Sequence, residues 1–391
     1  MPSVLIYVQH LLGIGHLMRA RLIAEALADR GLDVHLVSGG MPIGGRMPKG
    51  VRTVQLPPIR VSDASFNPLR DAEFTPIDDA FRQRRCELLL EAYDAARPSA
   101  VIFETFPFGR RALRFEIFPL LERIDAARPR PLVIGSIREI LQVQQKPERE
   151  REMLAWAARW FDAIFVHGDR RFARFEDTFS FADELVTPVH YTGFVFGDAL
   201  QPRAVEDAQR NEVVVSAGGG GVGIELLAMA LVAQRHSRYR HLTWRVLAGP
   251  NIPEAGVQRL RGLAGPNAVV ERSRVDFAAL LRHAFVSVSQ AGYNTTLDVI
   301  ASGARAVIVP FTGNGETEQR ARGDRLREFA LAVVADDRSL TPESLARSVD
   351  EAGTRTHWGQ WEFDSDGAAR TASLLTDMLV SDGARKVKNA A

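Results

Sequence analysis

Short, largely apolar runs alternating with helix-length segments constrain this chain more than any other feature of its sequence. In the first half they occupy residues 4–8, 33–37, 100–103, 131–134 and 163–166. They are apolar at successive positions rather than at every second one, so both faces of the sheet they build must be covered. Strands separated by helices pair in parallel, which gives a doubly wound α/β layer structure. The same rhythm restarts after Arg210, with runs at 212–215, 242–247, 268–270, 285–288 and 306–309. At 391 residues the chain exceeds what a single core ordinarily holds. The expectation is two Rossmann-like doubly wound parallel-sheet domains, at 1–200 and 201–380, with 381–391 as a frayed tail. Residues 191–210, with Pro202 in a polar stretch, read as the linker.

The charge balance narrows the partners. Forty-nine basic side chains face 48 acidic ones, a net charge of +1, so nothing calls for a polyanion and nucleic acid is not expected. Cys86 is the single cysteine and has no internal disulfide partner, which suits a reducing compartment. A strand at residues 4–8 leaves no room for a secretion signal, and the uncharged run 226–233 is far short of a membrane span. A cytoplasmic location follows as the expectation, with peripheral membrane contact left open.

The first strand runs into a loop holding His10, Gly13, Gly15 and His16, and a helix begins behind it. Glycines there permit a tight turn and close approach of backbone to a ligand, at the strand end where open α/β sheets bind ligands. A neutral imidazole at His16 could take a proton from an attacking hydroxyl, or could simply cap the helix. Glu104 and Glu139 follow later strands and are candidate ligands for an acceptor on the same edge.

In the second half, Gly218, Gly219, Gly220 and Gly221 follow a strand and precede an apolar helix, an arrangement that offers backbone amides to a diphosphate. No Gly-Lys-Ser/Thr follows, and the acidic residue of a dinucleotide fingerprint is missing, which disfavours an ATPase or a dehydrogenase. Further on, Gly292 opens a helix whose start carries Asn294, Thr295 and Thr296, polar groups suited to phosphate oxygens. Asp298 offers a carboxylate that can accept from two neighbouring hydroxyls. Arg274 is the nearest basic candidate for contact with a base. There is no H-E-x-x-H and no cysteine pair, so neither a dedicated metal site nor a resident cofactor is expected.

The run Gly13-x-Gly15-His16-x-x-Arg19 resembles the opening motif of sugar-nucleotide enzymes with two Rossmann domains. These include the glycosyltransferase family 28 group that makes lipid II and a family of UDP-sugar hydrolases. Residues 289–303, followed by Pro310-Phe311 and Glu316-Thr317-Glu318-Gln319, resemble the donor signature of the transferases. The resemblance implies a GT-B fold, two domains facing across a cleft, with the acceptor on the first and the nucleotide sugar on the second. It implies an inverting, metal-independent hexosyltransferase, with a UDP-sugar as donor, a hydroxyl compound as acceptor and His16 as the base. It carries diphosphate contact to Gly292, ribose contact to Asp298, and sugar contact to Gln319 beside Glu318. The chain departs from the pattern in having Asp298 where Glu is usual, and in a longer loop after Pro310. A sugar-nucleotide hydrolase or epimerase of the same architecture, or a silent sugar-nucleotide binder, remain the alternatives.

Overall fold

The computed structural model describes residues 1–390 apart from 12, 45–47, 62–67, 145, 198–210, 219–222 and 275, with backbone alone for 314 and 384–390. The chain forms two compact units, one made of Met1–Phe196 with Phe363–Ala391 and the other of Gly197–Glu362.

In the first unit a seven-stranded sheet contains β1 (Ser3–Val8), β2 (Asp33–Ser38), β3 (Val51–Gln55), β4 (Ala100–Glu104), β5 (Leu132–Arg138), β6 (Ala163–His167) and β7 (Val189–Tyr191). Their order is β3-β2-β1-β4-β5-β6-β7, and each neighbouring pair is parallel. Helices α1 (Gly15–Asp29), α2 (Asp79–Ala96), α3 (Arg114–Ala126) and α4 (Pro147–Trp160) complete the alternation. Side chains of β1 divide between the two faces as the pleat requires. Leu5 and Tyr7 join the core that contains Leu89 of α2 and Leu120 of α3, while Val4, Ile6 and Val8 join the core that contains Ile23 of α1. The Asp78 side chain caps α2 by accepting from the Phe81 amide at 2.8 Å.

The second unit repeats the plan with six strands: β8 (Glu212–Ser216), β9 (Thr243–Ala248), β10 (Ala268–Arg272), β11 (Ala284–Ser289), β12 (Arg305–Ile308) and β13 (Val333–Val334). Their order is β10-β9-β8-β11-β12-β13, again parallel throughout. Its helices are α5 (Ile224–Ala233), α6 (Glu254–Leu263), α7 (Phe277–Arg282), α8 (Tyr293–Ser302), α9 (Glu318–Glu328) and α10 (Pro342–Thr354). In each sheet the strand order reverses beside the first strand, between β1 and β4 and between β8 and β11. Loops diverge at such a point and leave a crevice for a ligand.

Three expectations need correction. The final helix, α11 (Gly367–Ala390), belongs to the first unit and not to a domain at 201–380. Ala372 and Leu375 are fully buried with Ile23, Ala24 and Leu27 of α1, so the apolar stripe of α11 covers the sheet face that α1 leaves open. The stretch expected to fray at 381–391 continues this helix to Ala390. Part of the expected linker is core: Tyr191 ends β7, and Thr192, Phe194 and Val195 are buried. Phe194 packs edge-on against Phe172 with 5.5 Å between ring centroids, which a polar connector would not do. The strands β3 and β7 are short and only partly buried, too weakly patterned to stand out in the sequence.

Replacing Leu375 by Ala removes a fully buried side chain from the first unit and is expected to cost about 2–5 kcal/mol there. Hydrogen exchange across a urea series will show β1 losing protection at lower urea while β8 keeps its own midpoint. An unchanged β1 would contradict the placement of α11.

Candidate functional site

At the reversal point of the first sheet, β1 leads through His10 and Gly13 into α1, whose first turn carries His16 and Arg19. Across from it β4 ends in Glu104. This carboxylate is 1% exposed and is shared between α1 and β5. Oε1 accepts from His16 Nδ1 at 2.9 Å and from Arg19, and Oε2 accepts from Ser136 Oγ at 2.7 Å. Thr105 Oγ1 lies 3.1 Å from the same His16 nitrogen. The other ring nitrogen, Nε2, faces Arg138 Nη2 at 2.9 Å. A guanidinium only donates and a carboxylate beside arginine only accepts, so the proton of the ring sits on Nδ1 and Nε2 carries the lone pair.

The chain of hydrogen bonds continues inward with one direction. Thr192 Oγ1 donates to His167 Nδ1 at 2.8 Å, and His167 Nε2 donates to Ser136 Oγ at 2.8 Å. Ser136 then donates to Glu104, whose second oxygen receives His16. Each of these contacts joins strand ends. Parallel register sets Glu104 beside Ser136 and Arg138 beside His167, which lines polar groups along one edge of the sheet.

Burial controls the charge state of the imidazoles. It holds His16 well below the usual histidine range, helped by the charges of Arg138, Arg110 and Arg19. It also lowers His167 to about 3 and His10 to about 4. His10 Nε2 bonds the Met41 carbonyl at 3.0 Å, and its ring fills the space that a Cβ on Gly40 would need.

Glu104 was expected to meet an acceptor, but it is instead consumed by His16, Arg19 and Ser136. Glu139, a candidate for the same role, is fully buried, and its side chain fills the space that a Cβ on Gly168 would need. Sequence reasoning missed Ser136, Arg138, His167 and Thr192. The usable signal is that polar residues end three neighbouring strands, and it becomes readable only once strand order is known.

The second unit has its own arrangement at the reversal point between β8 and β11. Gly218 adopts φ +73, and a Cβ there would lie 3.6 Å from Thr295 Oγ1, so the turn after β8 meets the start of α8. Gly219, Gly220 and Gly221 lie outside the described residues. Gly292 caps α8, whose first turn presents Asn294 and Thr295. Thr296 is 2% exposed, and its hydroxyl has no hydrogen-bond partner among the described residues. Burial pushes the Asp298 carboxyl up to about 7. Gln319 Oε1 accepts from the Phe311 amide at 3.1 Å, and Glu318 pairs with Arg322 at 3.0 Å. Arg322 in turn donates to the Ala291 carbonyl at 2.9 Å, which buttresses the turn in front of α8. Arg274 is bound to Asp276 through two contacts of 2.7 and 2.8 Å and is partly exposed.

Residues 219–357 match the glycosyltransferase family 28 C-terminal domain. A UDP-N-acetylglucosamine–N-acetylmuramyl-(pentapeptide) pyrophosphoryl-undecaprenol N-acetylglucosamine transferase of Synechococcus sp. (strain CC9902) is 26% identical over 166 residues, 42% of this chain and 43% of that protein. The transferase of the same name from Thermotoga neapolitana is 22% identical over 180 residues, 46% and 50% of the two chains. The chain thus matches about half the length of these curated relatives. Among solved structures, the calicheamicin glycosyltransferase CalG4 covers 99% of the chain at TM-score 0.57 and 17% identity, with 98% of its own chain aligned. MurG of Acinetobacter baumannii covers 96% at TM-score 0.56 and 15% identity, with 100% of its own chain aligned. These likenesses show the two-Rossmann GT-B fold. Among the described residues no helix is long and apolar enough to cross a membrane.

The depressed histidines make the first unit sensitive to acid. His10 and His167 stay neutral when folded down to about 4 and about 3, whereas unfolded chains protonate near 6.5. The unfolded state therefore binds more protons below 6.5, and stability falls with pH by about 1.4 kcal/mol per pH unit for each such histidine. Urea midpoints at pH 7 and pH 5 should drop for the wild type, and drop less for His167→Gln. Equal losses in both would mean that His167 is not held neutral.

Proposed function

We propose that this protein, which resembles the glycosyltransferase family 28 group, moves a sugar from a nucleotide donor to a hydroxyl acceptor with inversion and without a metal. The observation that carries the catalytic part is the His16–Glu104 pair. Its geometry keeps the proton on Nδ1 and leaves Nε2 as the basic atom, with burial keeping the ring neutral at physiological pH.

The second unit holds the donor, a role supported by the family match over residues 219–357. The Gly218 turn and the amides that open α8 receive the diphosphate, and the field of the helix start favours its negative charge. Asp298 serves the ribose hydroxyls, while Gln319 and Glu318 serve the sugar. The donor is a UDP-sugar, as the names of the relatives suggest.

The reaction balances as a displacement. Nε2 of His16 takes the acceptor's hydroxyl proton, and the oxygen's electron pair forms the bond to the anomeric carbon. The bond from that carbon to the diphosphate oxygen breaks, and its pair leaves with the nucleoside diphosphate. Glu104 stabilises the imidazolium that forms, and Arg19 and Ser136 keep the carboxylate aligned.

Thermal shift and turnover with UDP-, GDP-, dTDP- and CMP-sugars test this reading. One nucleotide class should stabilise the fold, by about 2.7 kcal/mol at a hundred times its Kd. Asp298→Ala should lose that stabilisation. His16→Ala should keep it and lose turnover by about 100-fold or more. Free sugar released at full rate with no acceptor would favour a hydrolase, bound donor left intact would favour a silent binder, and absence of any shift would refute the donor site.

A further inference from the structure

The atom that would take the acceptor's proton is already engaged. His16 Nε2 receives Arg138 at 2.9 Å while Nδ1 is tied to Glu104 at 2.9 Å, so the ring has no second lone pair for a hydroxyl. A hydroxyl can reach Nε2 only after Arg138 has moved.

The surroundings differ in how freely they can do so. Arg19 is 2% exposed and bound to Glu104. Arg138 is the last residue of β5 and is partly exposed, at the rim of the sheet rather than in its core. Arg110 brings a second guanidinium to the same place. It stands in the left-handed region at φ 61 and donates from Nε to the Gln9 carbonyl at 2.8 Å. Burial, and next to it the charge of Arg138, lowers Arg110 to about 10. The groups whose charges act on His16 are Arg138, Arg110, Arg19 and His10, and Glu104 meets it by hydrogen bond. Glu104 is the carboxylate of this set, and both its oxygens are in use. An oxyanion placed beside Arg138 and Arg110 would relieve their mutual repulsion and offer planar, two-pronged pairing.

We propose that Arg138 is a latch on the base: it occupies His16 Nε2 until an acceptor bearing an oxyanion near its reactive hydroxyl draws the guanidinium away. This rests on the transferase reading above and deepens it by assigning the acceptor class. Neutral acceptors give Arg138 no new partner and are poor substrates. Water is kept from the base in the same way, so donor is not hydrolysed while no acceptor is bound.

The latch is tested on the full chain by NMR titration of the histidine side chains, with His16 assigned from its loss in His16→Gln. The probes are inorganic phosphate and acetate, with chloride at equal ionic strength as the control. In the wild type, phosphate or acetate should raise the His16 midpoint by about one pH unit or more, and chloride should not. A response to phosphate alone assigns a phosphate-bearing acceptor, and a response to acetate extends the class to carboxylates. Arg138→Gln should show the raised midpoint with no probe and no further response. A wild-type midpoint that ignores both oxyanions, or an unchanged midpoint in Arg138→Gln, overturns the latch. The wild-type titration stands even if the variant fails to fold. A second readout is acceptor-free UDP release from UDP-N-acetylglucosamine, which should be several-fold faster in Arg138→Gln, and an equal or slower rate counts against the latch. If neither protein turns over any nucleotide sugar, the transferase reading fails, while the titration still decides whether Arg138 controls His16.

Discussion

One buried carboxylate organises the strand ends at the reversal point of the first sheet. Glu104 at the end of β4 meets the first turn of α1 through His16 and Arg19, and meets β5 through Ser136. A carboxylate that is 1% exposed is tolerated only when its lone pairs are filled. The residues that fill them are thereby fixed, and so are the loop after β1 and the orientation of the His16 ring.

A second buried pair supports the same loop from below. Arg85 of α2 forms two bonds of 2.7 and 2.8 Å to Glu116 of α3, and both residues are fully buried. Its remaining donors reach the Gly39 carbonyl at 3.0 Å and Gln9 Oε1 at 3.0 Å. Gln9 then donates to the His10 and Ile59 carbonyls, at 2.8 and 3.2 Å. The backbone leaving β1 is therefore held by hydrogen bonds, so the start of the loop into α1 is positioned before any ligand arrives.

The reversal point of the second sheet is built differently. Gly218 in the turn after β8 lies against Thr295 at the start of α8, Arg322 holds the Ala291 carbonyl in front of that helix, and burial raises the Asp298 carboxyl. The field of a helix start favours an anion by itself, so such a turn needs little added charge to attract one. The reversal point of the first sheet is instead dense in histidine and arginine, with His10, His16, Arg19 and Arg138.

The apolar runs, alternating with helix-length segments, by themselves determined the two parallel sheets and their doubly wound class, because strands buried on both faces and joined by helices pair in parallel. The glycine turns, His16 and the polar start of α8 were equally legible, since each sits directly behind a strand. Tertiary structure alone decided that α11 closes the first unit, because an amphipathic stripe does not say which sheet it will cover. It also decided that Glu104 serves His16, and that Ser136, His167 and Thr192 stand behind it. Those residues lie far apart in sequence, and only the parallel register of β4, β5 and β6 brings their side chains to one edge, where burial compels each polar atom to find a partner.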